Sequence, residues 1–106
     1  MKNAFAGVTV EIKANIYFNG NVTSRTILFL DGSKKTLGII LPGTYEFSVG
    51  AKEEVEIVAG SAEILLPQAR EWIKVAVGDL FTVATNCKYQ IRSQQIVEYV
   101  CSYFPQ

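Results

Sequence analysis

The stretch Leu41–Leu66, LPGTYEFSVGAKEEVEIVAGSAEILL, constrains the fold more than any other part of the chain. Its apolar and polar residues alternate in short runs, broken at Pro42-Gly43, Gly50-Ala51-Lys52 and Gly60-Ser61. Tyr45, Phe47 and Val49 share one face of the first run, and Thr44, Glu46 and Ser48 the other. In the next, Val55, Ile57 and Ala59 oppose Glu54, Glu56 and Val58. A period of two is that of a strand with one buried side. Strands this short, punctuated by glycine this often, predict a small antiparallel barrel or sandwich.

The rest of the chain continues the pattern. Val8–Ile16 alternates and reads as a half-buried strand. Tyr17–Asn21 reads as a turn whose two aromatics either close the core or wall a pocket. Val22–Leu30 is a strand ending at Asp31-Gly32, a hairpin signal, with Ser33, Lys34 and Lys35 as a solvated tip. Arg25, mid-strand, either faces solvent or binds an anion in a cavity. Thr36–Leu41 carries Gly38, and a strand glycine suggests bending or close backbone approach. After Pro67 come further short runs around Trp72–Val77, Leu80–Ala84, Tyr89–Ser93 and Ile96–Tyr103. The last puts Tyr99, Cys101 and Tyr103 on one face. No apolar spacing favours a helix, so the expectation is all-β: one domain over residues 1–106, with residues 1–16 as an additional edge strand.

Composition narrows the function classes. Lysines and arginines balance aspartates and glutamates at 10 each, so the basic excess of a nucleic-acid binder is missing. No apolar run is long enough to span a bilayer, and the first residues lack the pattern of a secretory signal, which predicts a cytoplasmic protein. Cys87 and Cys101 match no zinc or redox spacing. The chain contains no histidine, which removes histidine-dependent triads and the commonest metal ligand.

Two stretches resemble the paired motifs of the cupin superfamily. Gly43, Glu53 and Gly60 keep their places in the first, while Val49 and Ala51 stand where cupins carry two histidines. In the second, Gly78 fits, Ala84 and Asn86 replace a proline and a glycine, Tyr89 takes the histidine position and Ser93 the asparagine. The resemblance implies a jelly-roll-like β-barrel that has lost its metal ligands. Glu53 alone could not hold a transition metal, which needs three or four ligands.

A closer resemblance runs through most of the chain. Tyr17-Phe18-x-Gly20-x-Val22-x-Ser24, Gly43-x-Tyr45-x-Phe47-Ser48 and Glu53-Glu54 with Gly60 appear in order. Leu65-Leu66-Pro67, Trp72, Gly78-x-x-Phe81-x-Val83 and Tyr99-x-Cys101-x-Tyr103 follow. Together they resemble the pyrimidine/purine nucleoside phosphorylase family of small single-domain cupins. Ala84 departs from the family's usual proline. The resemblance implies phosphate-dependent cleavage of the N-glycosidic bond of diverse nucleosides. The products are free base and pentose 1-phosphate. Orthophosphate is co-substrate, no cofactor or metal is needed, and the protein is a homodimer.

Such chemistry needs a group for the cationic sugar, a dianion site and a partner for the departing base. The motif aims Glu53 into the barrel, where a carboxylate could bind ribose hydroxyls or stabilise an oxocarbenium-like sugar. Without the resemblance it is equally a solvated glutamate. Tyr45 is the second catalytic candidate, and like Tyr89 it could stack on the base, donate its hydroxyl or simply fill the core. Ser24, Arg25, Phe47, Trp72 and Tyr89 are the substrate-binding candidates, with Phe47 equally a packing residue and Trp72 equally a dimer contact. Arg70, Lys74 and Arg92 join Arg25 as possible phosphate ligands. Cys101 reads as a small buried hydrophobe. The competing reading is a non-catalytic barrel that binds a small ligand without turnover.

Overall fold

The structure, a computed structural model, describes residues 3–104. Eleven strands run in order: β1 Thr9–Val10, β2 Asn15–Tyr17, β3 Val22–Leu28, β4 Lys34–Ile40, β5 Gly43–Val49, β6 Lys52–Ala59, β7 Ser61–Leu65, β8 Ile73–Ala76, β9 Leu80–Val83, β10 Cys87–Ser93 and β11 Val97–Phe104. The helical content of the described residues is one 3-10 turn, Phe18–Gly20. A seven-stranded sheet orders its strands β1-β3-β4-β11-β6-β9, with β2 also on β3, and a four-stranded sheet runs β5-β10-β7-β8. Every pairing is antiparallel. This is the jelly-roll architecture of a cupin.

The two sheets close on each other through their alternating apolar residues. Val22, Ile40, Val55, Ile57 and Val97 come from one side; Tyr45, Val49, Ile64, Tyr89 and Ile91 come from the other. Ile57, Val22, Val83 and Val97 are fully buried. Gly60 is required where the chain leaves β6. Its φ is +78°, and a side chain there would collide with the Ile96 carbonyl.

The N-terminal alternation does not make one continuous edge strand. β1 and β2 pair with different parts of β3, Thr9–Val10 against Ile27–Leu28 and Asn15–Tyr17 against Val22–Ser24. The chain leaves the ladder between them, and Ile12 is 92% exposed. The turn at Tyr17–Asn21 is tighter than its sequence indicates, because Phe18 and Asn19 both take positive φ, 52° and 57°. For an aromatic residue that is strained backbone. Phe18 is held there by ring contacts to Tyr45 and Phe47, with centroids 5.0 and 5.5 Å apart.

Candidate active site

Strand register builds the interior of the seven-stranded sheet row by row. Asn15, Ser24, Gly38, Tyr99 and Ile57 are successive cross-strand partners over β2, β3, β4, β11 and β6. Thr26, Thr36, Cys101, Val55 and Phe81 form the next row. Beyond it Tyr103 faces Glu53. Neighbouring rows lie two residues apart on each strand, so all these side chains point the same way. One stretch of this sheet's inner face therefore carries hydroxyls, a thiol and a carboxylate among its apolar residues.

These polar groups are buried or half-buried, and several are bonded to one another. Ser24, Thr26 and Thr36 are 4%, 7% and 4% exposed. Asn15 Nδ2 donates to Ser24 Oγ at 3.1 Å and to Thr26 Oγ1 at 3.0 Å. Thr36 Oγ1 and the Tyr103 hydroxyl share a hydrogen bond of 3.0 Å. Cys101 Sγ donates to Glu53 Oε1 at 3.3 Å. Networks of this kind cost stability unless they are fully satisfied, and among the described residues no buried side-chain oxygen or nitrogen is left without a partner.

A cavity of about 110 Å³ lies against this wall. Ser24, Glu53, Tyr99, Cys101 and Tyr103 line its polar side; Tyr17, Phe47 and Tyr89 line its aromatic side. Phe47 and Tyr89 are stacked, with centroids 5.5 Å apart and planes 23° from parallel. Burial raises the Glu53 carboxyl above its ordinary value, and the hydrogen bond from Cys101 opposes that rise. Burial, reinforced by the negative charge of Glu53, pushes the Cys101 thiol up to about 12. Tyr89, Tyr99 and Tyr103 are raised as well, chiefly by burial. At neutral pH the thiol and these three phenols therefore keep their protons and can act as hydrogen-bond donors.

Ser24, Phe47, Glu53 and Tyr89 meet at this cavity, as four of the seven candidates from the sequence. The other three lie elsewhere. Tyr45 is buried among core side chains, and its hydroxyl donates to the carbonyls of Leu41 and Pro42 at 2.9 and 3.1 Å, where it clamps the corner into β5. Arg25 points outward from β3 and donates to the Ile12 carbonyl, because its position has the opposite parity to Ser24. Trp72 sits outside the four-stranded sheet with the Arg92 guanidinium 3.8 Å from its ring centre. Arg92 is in turn paired with Glu63 at 3.0 Å. Arg70, Lys74 and Arg92 do not line the cavity.

Sequence reasoning underused Tyr99, Cys101, Tyr103 and Thr36. The signal was present as polar residues at the inward parity of apolar strands: Ser24 and Thr26 after Val22, Thr36 before Ile40. A buried hydroxyl on such a face needs an explanation, whereas one on the outward face does not. Among the described residues, no three His, Cys, Asp or Glu side chains are grouped so as to hold a metal ion.

Comparison with known proteins agrees with this architecture. The sequence profile of the family described as pyrimidine/purine nucleoside phosphorylase matches residues 12–103. A pyrimidine/purine nucleoside phosphorylase of Chlorobium chlorochromatii is 50% identical over 93% of this chain and 95% of its own. One from Wolinella succinogenes is 47% identical over 97% of this chain and 98% of its own. Among solved structures, a protein of unknown function from Acinetobacter superposes with a TM-score of 0.93 at 35% identity, covering 95% of this chain and 98% of that one. EutQ of Clostridium difficile, at 14% identity and a TM-score of 0.71 over 89% of this chain and 81% of that one, shares the fold. The chain belongs to the pyrimidine/purine nucleoside phosphorylase family.

Proposed function

We propose that this protein cleaves the N-glycosidic bond of purine and pyrimidine nucleosides with orthophosphate, and that the Glu53 cavity is where it does so. The observation that carries the reading is a half-buried carboxylate set in a wall of hydroxyls and facing an aromatic wall. A nucleoside offers the matching surfaces: a hydroxylated sugar and a flat base. The cavity is far smaller than the roughly 300 Å³ at which pockets begin to take a drug-sized ligand. It therefore accepts the sugar, while the base lies toward its aromatic rim at Tyr17 and Phe47.

In this reading the bond from C1′ to the base nitrogen lengthens first and positive charge gathers on the sugar. The Glu53 carboxylate stabilises that charge at short range in a medium of low polarity. A phosphate oxygen bonds to C1′, and the electron pair of the broken bond leaves with the base. The base gains one proton and the hydrogen phosphate dianion loses one, giving the pentose 1-phosphate dianion, so the step balances. Tyr99 and Tyr103 are suited to donate hydrogen bonds, to the sugar or the leaving base, because their phenols stay protonated. Ser24 orients Tyr99 and the sugar. Stacking on Phe47 and Tyr89 discriminates weakly among bases, which suits a broad substrate range.

We further propose that the chain works as one unit over residues 1–106, as a homodimer in the cytoplasm. Leu37 and Ile39 are exposed on the outer face of the seven-stranded sheet beside Val58 and Val100, and a patch of this kind supports isologous pairing. Two free thiols and a metabolite substrate support the compartment. Among the described residues, no helix is long and apolar enough to cross a membrane. The alternative, a barrel that holds its ligand without turnover, predicts no chemistry at all. Uridine or adenosine incubated with and without phosphate separates the two: phosphate-dependent release of base supports the enzyme, and no release from either nucleoside sinks it.

A further inference from the structure

Phosphorolysis requires a site for a dianion, yet no lysine or arginine lines the Glu53 cavity. The basic residues flanking it fall mostly on the wrong parity. Lys35 reaches outward to Ser102 Oγ at 2.8 Å. Lys52 lies over the Phe104 ring, and Arg92 is engaged by Glu63 and Trp72. Lys34 differs. It shares the inward parity of Thr36 and Gly38, and its Nζ stands 4.8 Å from the centre of the Tyr103 ring.

We infer that Lys34 is the phosphate-binding residue, at the mouth of the cavity on the opposite flank of Tyr103 from Glu53, an inference that rests on the phosphorylase reading. Tyr103 is paired with Glu53 on β6. On its other side Ser102 pairs with Lys35, which sets Lys34 beside Tyr103 at the next step of the ladder. Two ladder steps of about 5 Å each separate the backbone of the cation from that of the carboxylate. That spacing keeps a phosphate away from Glu53 while leaving the sugar carbon between them. The site is also built rather than loose. The β3–β4 hairpin is fixed by Asp31, whose Oδ1 accepts from Ser33 N at 2.8 Å and from Ser33 Oγ at 2.6 Å. Thr36, two residues on, holds the Tyr103 hydroxyl. The ring thus gives the ammonium a fixed resting place by cation–π attraction, from which its flexible stem and three donors can turn to a phosphate.

The test is the phosphate dependence of uridine cleavage. Lys34→Ala should raise the phosphate KM about tenfold or more, the size of a lost charge-assisted contact, with uridine KM within about twofold. Lys34→Arg should recover part of the loss, and Arg92→Ala should leave phosphate KM unchanged. An unchanged phosphate KM in Lys34→Ala, or a rise in Arg92→Ala alone, overturns the inference and leaves the phosphorylase reading standing. Broadening of the 31P resonance of inorganic phosphate, measured without nucleoside, separates the two claims. Broadening by wild type that is lost in a folded Lys34→Ala protein supports the site even if cleavage fails. Equal broadening by both proteins overturns it.

Discussion

Cys101 donates its S–H to Glu53 Oε1 at 3.3 Å inside the barrel. The sequence presents this cysteine as a small apolar filler, and it is indeed 3% exposed. Its thiol nevertheless sits where it tempers the carboxylate, lowering a Glu53 pKa that burial raises. Removing the donor leaves desolvation unopposed. Cys101→Ala should therefore move the acid limb of kcat/KM to higher pH, and Cys101→Ser, which keeps a donor, should move it less. A pH–rate profile checks both. Identical limbs in all three proteins would detach the thiol from Glu53 function.

Glu53 also ties activity to stability with opposite signs. Its folded pKa lies above the ordinary 4.5, so in the interval between those values the folded state binds more protons than the unfolded one. Stability then falls as pH rises through that interval, and the ionised carboxylate costs stability at neutral pH. Glu53→Gln should raise Tm at pH 7, and the gain should shrink as pH falls through that interval toward 4.5. Thermal melts across pH 4–8 would show it; a lower Tm for the variant at pH 7 would contradict the sign.

Gly38 makes room for Tyr99. The two residues are cross-strand partners, and a Cβ at Gly38 would lie 2.2 Å from the Tyr99 Cζ, at the hydroxyl end of its ring. Tyr99 therefore lies flat across β4 toward Ser24 and walls the cavity. Gly38→Ala should destabilise the fold by about 1–3 kcal/mol, the usual range for overpacking. It should also reduce kcat/KM at temperatures well below the variant's own Tm, because the displaced ring no longer shapes the pocket. Full activity at such a temperature would mean that Tyr99 has no part in the site.

On the outer face of the same sheet, Ile39 is 42% exposed beside Leu37. If two copies pair there, Ile39→Glu places like charges across the two-fold axis and should halve the mass measured by light scattering, with the fold retained by circular dichroism. A wild-type protein that is already monomeric would remove this interface.

The fold was legible because alternation and glycine breaks directly encode strands and turns, as Leu41–Leu66 shows. The interior faces followed from the same parity: Tyr45, Phe47 and Val49 do point inward. Parity could not say which inward residues line a void. Tyr45 and Phe47 lie two residues apart on one face, yet only Phe47 reaches the cavity, because Tyr45 is drawn to the carbonyls of Leu41 and Pro42. Nor could local pattern pair distant strands. Glu53, Tyr103 and Lys34 come from three separate strands, and only the register of β4, β11 and β6 brings them together. Lys34 looked like a solvated loop tip because β4 begins two residues earlier than the apolar pattern does.

The most direct test of the Glu53 cavity as the reaction centre is the rate of pentose 1-phosphate formation from uridine and phosphate by wild type and Glu53→Gln. Glutamine keeps the size and the hydrogen-bonding oxygen but removes the charge. The account predicts product from the wild type and a loss of about 10²-fold or more in kcat for the variant, the scale of removing one transition-state electrostatic contact, with a fold that melts cooperatively. A Glu53→Gln protein that forms product at the wild-type rate would contradict it.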